Sequence, residues 1–257
     1  MRENKLKQLW KQGKTVVNAW LTIPSSWSAE LMAHAGFDSL TIDMQHGLAD
    51  YQTALTMLQA ISTTDVVPLA RVPWNDPAIV MRLLDAGAYG LICPMVNTRA
   101  EAEAFVGACR YAPVGYRSYG PIRALVYGGD DYGSRANENV ITLAMIETAE
   151  ALQNLDDITA TPGLDGFYIG PADLSLSMGL ADLANFKNPE LLRLLDTILN
   201  AAARRNLIPG IHANTPENAI MLSERGFRFV TPASDTILLR AAAGHAVVQT
   251  RKGLGQA

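Results

Sequence analysis

The chain has 257 residues, of which 49% are hydrophobic and 18% charged, and its formal net charge is −4 at pH 7. These proportions are typical of a soluble globular enzyme and exclude a disordered chain. No apolar run is long enough to span a bilayer, and the first residues lack the apolar core of a secretory signal, so we expect a cytoplasmic protein. Basic residues form no cluster, which argues against a nucleic acid or a membrane as partner and favours a small molecule.

Short apolar runs alternate eight times with segments of helical periodicity, a pattern that predicts parallel strands joined by helices. A chain of this length accommodates one (β/α)8 barrel, so we predict a single domain over residues 1–257. The predicted strands are 16–21, 39–43, 66–72, 90–94, 142–147, 166–170, 208–213 and 227–232. The predicted helices are 29–35, 51–62, 77–86, 99–110, 152–161, 189–205, 216–225 and 236–251.

One segment, residues 111–139, interrupts this alternation with five glycines and five tyrosines between the fourth and fifth strands. A long irregular stretch in a compact domain is usually functional, although it can also be an ordered cover with no ligand role. Arg117 and Arg123 lie in this segment. Their guanidinium groups either bind a charged substrate or hold the segment in place.

Active sites of (β/α)8 barrels lie at the carboxyl ends of the strands, and here several of these ends are polar. Glu147 and Asp173 end the fifth and sixth predicted strands, so both carboxylates are expected on one side of the barrel mouth. Two oxygen ligands without cysteine or paired histidine suit Mg²⁺ or Mn²⁺. In the alternative interpretation, each carboxylate pairs with an arginine such as Arg71 or Arg117.

Arg71 ends the third predicted strand, which is otherwise apolar. Its guanidinium group either binds a carboxylate or an oxyanion of the substrate, or forms a salt bridge with Glu147 or Asp43. Next to the sixth strand, Gly170 and Ala172 belong to the sequence Gly-Pro-Ala-Asp at a helix start. Backbone N–H groups there are expected to approach a substrate carboxylate.

His46 follows the second predicted strand and is a candidate proton carrier near neutral pH. A carboxylate on its second ring nitrogen would orient it, and Asp85 or Asp43 is the candidate partner. Gln45, next to His46, and His212, at the end of the seventh strand, are further candidates for the site. No lysine occurs between Lys14 and Lys187, which argues against a Schiff-base mechanism in favour of a metal ion.

The sequence resembles the HpcH/HpaI family of class II aldolases over almost its whole length. The resemblance rests on the sequences Ile42-Asp43-Met44-Gln45-His46, Ala70-Arg71-Val72-Pro73, Leu84-Asp85-Ala86-Gly87-Ala88, residues 113–120, Met145-Ile146-Glu147-Thr148 and Gly170-Pro171-Ala172-Asp173-Leu174-Ser175. It implies a TIM barrel of the phosphoenolpyruvate/pyruvate-binding type that catalyses aldol addition and cleavage between pyruvate or hydroxypyruvate and an aldehyde. The products would be 4-hydroxy-2-keto acids.

The resemblance also implies roles for single residues. Glu147 and Asp173 would hold Mg²⁺ or Mn²⁺, with Co²⁺ as a substitute and no organic cofactor. Arg71 would stabilise the enolate oxygen and the backbone N–H groups of Ala172 and Asp173 would bind the carboxylate, while His46 and Asp85 would form the acid–base pair. It further implies a homohexamer, a dimer of trimers, in which the last helix packs on a neighbouring subunit.

Two residues depart from the family pattern. Gln45 stands where many members have glutamate, and Met145 stands where some have glutamine. Both changes should alter the hydrogen bonds around the site, so the natural substrate does not follow from the resemblance. A lyase acting on CoA thioesters, of the citramalyl-CoA or malyl-CoA type, and a keto-acid-binding protein without catalytic activity are the alternatives. The former would need a basic site for the CoA phosphates.

Overall fold

The structure is a computed structural model that describes residues 1–256. Eight parallel strands form a closed barrel in which each strand pairs with the next and β8 pairs with β1. The predicted (β/α)8 barrel is therefore confirmed. The strands are β1 Val16–Leu21, β2 Ser39–Asp43, β3 Val67–Arg71, β4 Gly90–Cys93, β5 Ile141–Met145, β6 Gly166–Ile169, β7 Ile208–His212 and β8 Phe229–Thr231.

The described residues form thirteen α-helices. They are α1 Lys5–Lys11, α2 Ser26–Ala33, α3 Tyr51–Ile61, α4 Pro77–Asp85, α5 Arg99–Cys109, α6 Ile122–Gly128, α7 Tyr132–Asn139, α8 Ala149–Gln153, α9 Leu155–Thr159, α10 Pro171–Ser177, α11 Pro189–Arg205, α12 Pro216–Arg225 and α13 Asp235–Gly253. The helix predicted at 152–161 is divided between α8 and α9, and four short helices (α1, α6, α7 and α10) were not predicted. None of the helices within residues 1–256 is both long enough and apolar enough to cross a membrane.

Polar side chains at the helix starts explain where several helices begin. The side chain of Asp76 accepts a hydrogen bond from Ala78 N, with Pro77 at the first helical position of α4. Thr98 and Glu101 form a complete capping box at the start of α5. The helices predicted to begin at residues 77 and 99 do begin there.

Residues 111–139 are more regular than predicted. They contain α6 and α7, and buried aromatic groups hold the segment against the barrel: Tyr132 is fully buried and Tyr111 nearly so. The prediction of a wholly irregular stretch was wrong. The segment is helical because its tyrosines, which alternate with glycines in the sequence, supply the apolar surface that packs the two short helices.

Inside the barrel, a layer of hydrogen-bonded polar side chains lies beneath the mouth. Asn18 Oδ1 accepts from the hydroxyl groups of Ser39 and Thr41 at 2.9 and 3.0 Å. Asn18 Nδ2 donates to Thr231 Oγ1 at 3.0 Å, and the hydroxyl group of Tyr168 donates to the same oxygen at 2.8 Å. All five side chains are buried. A fully paired polar layer of this kind specifies one arrangement of the strands that contribute to it.

A buried arginine closes the opposite, amino-terminal face. Arg110, at the end of α5, donates hydrogen bonds to the carbonyl groups of Val140 and Gly163 at 3.0 and 2.9 Å. It also donates to Asp165 Oδ2 at 2.9 Å, and that oxygen accepts from Thr142 N at 2.9 Å. Arg110 therefore joins α5 to the starts of β5 and β6, where interactions serve stability.

The last helix, α13, lies against the barrel only at its first residue. Asp235 is buried and accepts hydrogen bonds from Thr22 N and Ile23 N at 2.9 and 3.0 Å, whereas every residue of the helix after it is exposed. An apolar groove of about 340 Å³ lies open beside β1, β8 and α12, with Val17 and Ile220 on its surface. The fold therefore leaves both an uncovered groove and an unpacked helix.

We predict that Arg110→Met lowers the free energy of unfolding by about 3 kcal/mol or more, because it leaves Asp165 and two carbonyl groups without their donor. In a domain of this size, that loss corresponds to a fall in Tm of roughly 6–12 °C. Thermal denaturation followed by circular dichroism measures it. The matched control is Arg204→Met, which removes an exposed pair with Asp156 and should cost less than about 1 kcal/mol. Equal Tm values for the two variants would refute the role of Arg110.

Candidate active site

Glu147 lies two residues beyond the end of β5 and is almost completely buried. Its Oε1 accepts a hydrogen bond from Met95 N at 2.8 Å, and Met95 has a left-handed backbone with φ 54°. Its Oε2 is buried without a hydrogen-bond partner among the described residues. Burial, which the negative charge of Asp173 reinforces, raises the pKa of Glu147 to about 7. A cation beside Oε2 would supply the missing partner and favour the charged carboxylate.

The junction between β6 and α10 is shaped around this carboxylate. Gly170 has no side chain, and a Cβ atom at this position would collide with Glu147 Oε2. Ala172 and Asp173 follow in the first turn of α10 and are exposed. Backbone N–H groups in a first helical turn have no acceptor within the helix, so those of Ala172 and Asp173 are available to a ligand. The sequence-predicted residues Gly170, Ala172 and Asp173 thus lie together at this junction.

Arg71 and Asp43 form a buried, bidentate ion pair at the ends of β3 and β2. Arg71 Nε donates to Asp43 Oδ1 at 2.8 Å and Nη2 donates to Oδ2 at 2.7 Å. Burial opposes ionisation of Asp43, but the hydrogen bonds and charge of Arg71 outweigh it, and its pKa lies below the usual value. The third nitrogen, Nη1, has only Met145 Sδ nearby, at 4.0 Å. Of the salt bridges considered for Arg71, the structure forms the one with Asp43.

These groups surround a small cavity at the barrel mouth, with a volume of about 160 Å³. Its lining residues are Trp20, Arg71, Met145, Tyr168, Gly170, Pro171, Ala172, Asp173, His212 and Asn214. A water molecule occupies about 30 Å³ in the liquid, so the cavity has room for about five waters or one small organic acid. A larger depression of about 590 Å³ contains none of the predicted site residues and lies at the amino-terminal face.

The predicted pair of His46 and Asp85 is not formed within the chain. His46 is exposed at the carboxyl-terminal face, after β2, whereas Asp85 ends α4 and therefore lies toward the amino-terminal face. Asp85 instead accepts a hydrogen bond from Arg117 Nη2 at 2.6 Å. Asp43, the other candidate, binds the backbone N–H of His46 at 3.3 Å but not its ring. Within one chain the two side chains lie at opposite faces because a helix that leaves a strand at the mouth ends at the other face.

The two arginines of residues 111–139 hold the segment in place. Arg117 is buried and donates to Asp85 and, at 3.1 Å, to the hydroxyl group of Tyr132. Arg123 donates to the carbonyl group of Ala86 at 2.6 Å and to Ser62 Oγ at 2.8 Å. Both sets of acceptors are at the ends of helices, away from the mouth. The alternative role, binding of a charged substrate, is therefore not supported.

The two further candidates have different surroundings. His212, at the end of β7, lines the cavity and packs against the ring of Trp20 at 5.5 Å. Gln45 is partly buried beside Asp43 and does not line the cavity, and its Oε1 has no hydrogen-bond partner within residues 1–256. The departure at Gln45 therefore leaves an amide oxygen without a donor at the edge of the site.

Sequence reasoning missed three cavity residues, Trp20, Tyr168 and Asn214. Trp20 stacks on Tyr168 at 5.0 Å, and the Arg71 guanidinium group lies 5.1 Å from its ring centre. Within β1 it follows Asn18 by two residues, so both side chains point into the barrel, a signal available from strand alternation. Asn214 follows β7 with a left-handed φ of 66°, a conformation that asparagine tolerates better than most residues.

The residues that could hold a metal ion are few. Within residues 1–256, no group of three or more histidine, cysteine, aspartate or glutamate side chains is close enough to form a metal site. Asp173 lines the cavity and Glu147 lies beside it, with Oε2 next to the lining residue Gly170, so both offer carboxylate oxygens there. This donor set fits a hard cation such as Mg²⁺ or Mn²⁺, which keeps several waters and binds through one or two carboxylates. The unpartnered Oε2 of Glu147 agrees with that fit.

Comparison with known proteins places this site in a family. The family model of the HpcH/HpaI aldolase/citrate lyase proteins matches residues 17–242. A hydroxypyruvate/pyruvate aldolase of Rhizorhabdus wittichii is 40% identical over 248 residues, which cover 96% of this chain and 99% of that protein. A 4-hydroxy-2-oxo-heptane-1,7-dioate aldolase of Escherichia coli is 40% identical over 244 residues, which cover 94% and 92%.

The fold agrees with this relationship. The crystal structure of an HpcH/HpaI aldolase/citrate lyase family protein from Burkholderia cenocepacia superimposes with a TM-score of 0.89 at 33% identity, over 96% of this chain and 99% of that one. The family match, the relatives and the barrel fold thus all indicate the same family. The chain belongs to the HpcH/HpaI aldolase/citrate lyase family.

Proposed function

We propose that the protein is an aldolase that joins a small 2-keto acid, pyruvate or hydroxypyruvate, to an aldehyde and cleaves the resulting 4-hydroxy-2-keto acid. The observation that carries this proposal is the buried Glu147 carboxylate, whose Oε2 has no partner among residues 1–256 and lies next to Gly170 in the lining of the small cavity. Relatives at 40% identity named as aldolases for such substrates support it.

Glu147 and Asp173 are the residues that would hold the divalent cation, Mg²⁺ or Mn²⁺, with Co²⁺ as a substitute. Aldolases of this family form a metal-dependent class. When bound, such a cation draws electron density from the keto oxygen of the substrate and makes the proton on C3 easier to remove. Gly170 keeps the space beside Glu147 open, and the N–H groups of Ala172 and Asp173 would bind the substrate carboxylate.

Arg71 would stabilise negative charge on the substrate oxygen. Asp43 holds two of its three nitrogen atoms, so the guanidinium plane is fixed before a ligand arrives. Nη1 faces only a weak sulfur acceptor and is the nitrogen available to the substrate. Preorganised donors of this kind stabilise developing charge because they need no reorientation during the reaction.

His46 is the proposed proton carrier at the mouth. Its ring is exposed and has no carboxylate partner among residues 1–256, so it can exchange protons with water or with a substrate. Arg71 is the only lysine or arginine among the cavity-lining residues of the described chain, and Asp43 already binds it. The cavity therefore offers nothing that favours a CoA thioester as substrate.

Removal of the metal ion should abolish aldol cleavage, and Mg²⁺ or Mn²⁺ should restore it. We expect Glu147→Gln to weaken Mn²⁺ binding by at least about a hundredfold and Gly170→Ala to weaken it by about tenfold, because the new methyl group displaces Oε2. Titration calorimetry measures the affinity, and pyruvate release measures turnover. Gly253→Ala, where the added atom meets nothing, is the control. Full activity in chelator would refute the metal-dependent proposal.

For His46→Ala, we expect Mn²⁺ and pyruvate to bind as in the wild type while aldol turnover falls by at least roughly a hundredfold, because only the proton carrier is lost. His34→Ala is the matched control, since His34 is also exposed but caps α2 at the other face of the barrel. Steady-state kinetics and calorimetry separate the two effects. Unchanged turnover in His46→Ala would remove His46 from this role.

We also propose that α13 packs on a second copy of the chain, in a homohexamer arranged as a dimer of trimers. The exposed helix carries Leu239 and Val248 on its surface, with 63% and 61% exposure, and the apolar groove beside β1, β8 and α12 has no cover from the same chain. Apolar surfaces of this kind usually mark an interface.

Ile220→Lys should reduce the oligomer to smaller species, because it places a charge in the apolar groove, where Ile220 is 61% exposed. Size-exclusion chromatography with light scattering measures the mass. Arg204→Met, at an exposed ion pair on α11, should leave the mass unchanged. A monomeric wild-type protein would contradict the proposed assembly.

A further inference from the structure

Strand β7 contributes two polar side chains to the cavity that the proposed chemistry does not use. His212 is its last residue, and Asn214 follows two residues later. Because β7 lies across the eight-stranded barrel from β3, these side chains lie opposite Arg71. The cavity therefore has a second polar side, on the strand that pairs with β6.

The ring of His212 is held in one orientation. Its Nδ1 lies 3.3 Å from the hydroxyl oxygen of Tyr168, and that hydroxyl group donates its hydrogen to Thr231 Oγ1. Since the hydrogen of Tyr168 is already used, Nδ1 must carry the hydrogen that joins the two side chains. Trp20 packs edge-on against the imidazole at 86°. The ring thus turns its other nitrogen, Nε2, away from Tyr168.

The support of His212 extends through the buried polar layer. Thr231 is held by Asn18, and Asn18 in turn is held by Ser39 and Thr41. These residues lie on β1, β2 and β8, so three strands fix the position of Tyr168 and, through it, of His212. Such a supporting set of hydrogen bonds is what positions a side chain accurately for a ligand.

The outward-facing atoms of both side chains lack partners. His212 Nε2 and the Asn214 side-chain amide make no hydrogen bond within residues 1–256 and are not enclosed by protein. Burial and the positive charge of Arg71 lower the pKa of His212 to about 4, so its ring is neutral at pH 7 and Nε2 accepts a hydrogen bond. An amide supplies a donor and an acceptor. Together they match a hydroxyl group, which both donates and accepts.

We propose that His212 and Asn214 form a subsite for a hydroxyl group of the substrate. The proposal rests on the aldolase function proposed above and makes it more specific. A short substrate that carries a hydroxymethyl group would react in preference to one that carries a methyl group at the same position. A methyl group would leave both polar side chains desolvated and unpaired. The hydroxyl group can belong to the keto acid, as in hydroxypyruvate, or to the aldehyde, as in glycolaldehyde.

The test examines separately the two substrates that could carry the hydroxyl group, the keto acid and the aldehyde. kcat/KM is measured for hydroxypyruvate and pyruvate with acetaldehyde, and for glycolaldehyde and acetaldehyde with pyruvate, all with Mn²⁺ present. We expect the wild type to prefer the hydroxylated substrate in one of these comparisons, and His212→Leu to lower that selectivity ratio about tenfold. Asn214→Gly should lower it as well, and glycine adopts the left-handed backbone of this position without strain. His212→Gln, which retains a polar atom at this reach, should recover part of the ratio.

His34→Ala should leave the ratio unchanged, since His34 lies outside the cavity. Equal losses on hydroxylated and methyl substrates would show that His212 only supports the fold and would overturn the subsite. An unchanged ratio in both His212→Leu and Asn214→Gly would overturn it too. Absence of all turnover in the wild type would instead refute the aldolase function. The subsite is then decided by calorimetry, where hydroxypyruvate must bind more tightly than pyruvate to the wild type and not to His212→Leu.

Discussion

The burial of the Glu147 carboxylate is the constraint on which the arrangement of the site depends. An ionised carboxylate removed from water is costly unless hydrogen bonds or a cation replace the lost hydration. The chain provides one hydrogen bond, from Met95 N, and holds Met95 in a left-handed backbone to do so. Oε2 has no hydrogen-bond partner among residues 1–256, and the glycine at position 170 leaves the space beside this atom open. Such a combination stabilises the fold poorly and is understandable if a cation completes it.

The Arg71–Asp43 pair complements this negative site in a different way. A bidentate pair between neighbouring strand ends satisfies most of the guanidinium group, so the arginine stays charged and immobile near Glu147 without neutralising it. If Arg71 paired directly with Glu147, both groups would be lost to a ligand. Because Arg71 pairs with Asp43 instead, Glu147 Oε2 stays without a hydrogen-bond partner within residues 1–256.

The barrel and most of its strand ends could be predicted because strands of this fold are short, apolar and regularly spaced. Glu147, Asp173 and Arg71 stood out because a charged residue at the end of an apolar strand has few structural explanations. Whether His46 and Asp85 pair could not be predicted from the strand ends, because the answer depends on the face of the barrel at which each residue lies. Residues such as Asn18 and Tyr168 were hidden because a polar side chain inside a barrel is recognisable only when its partners on other strands are known.

Two sets of polar side chains, one at each face of the barrel, differ in their partners. At the amino-terminal face, Arg110 and Asp165 satisfy one another and the carbonyl groups around them. At the carboxyl-terminal face, three side chains each have one polar atom without a strong partner among residues 1–256: Glu147 Oε2, Arg71 Nη1 and His212 Nε2. Another polar atom of each side chain is held by a hydrogen bond. A polar atom that has no partner contributes nothing to the stability of the fold, even when the rest of its side chain is held by hydrogen bonds. In the proposed function, these three atoms at or beside a cavity of about 160 Å³ correspond to a cation at Glu147, an oxyanion at Arg71 and a hydroxyl group at His212.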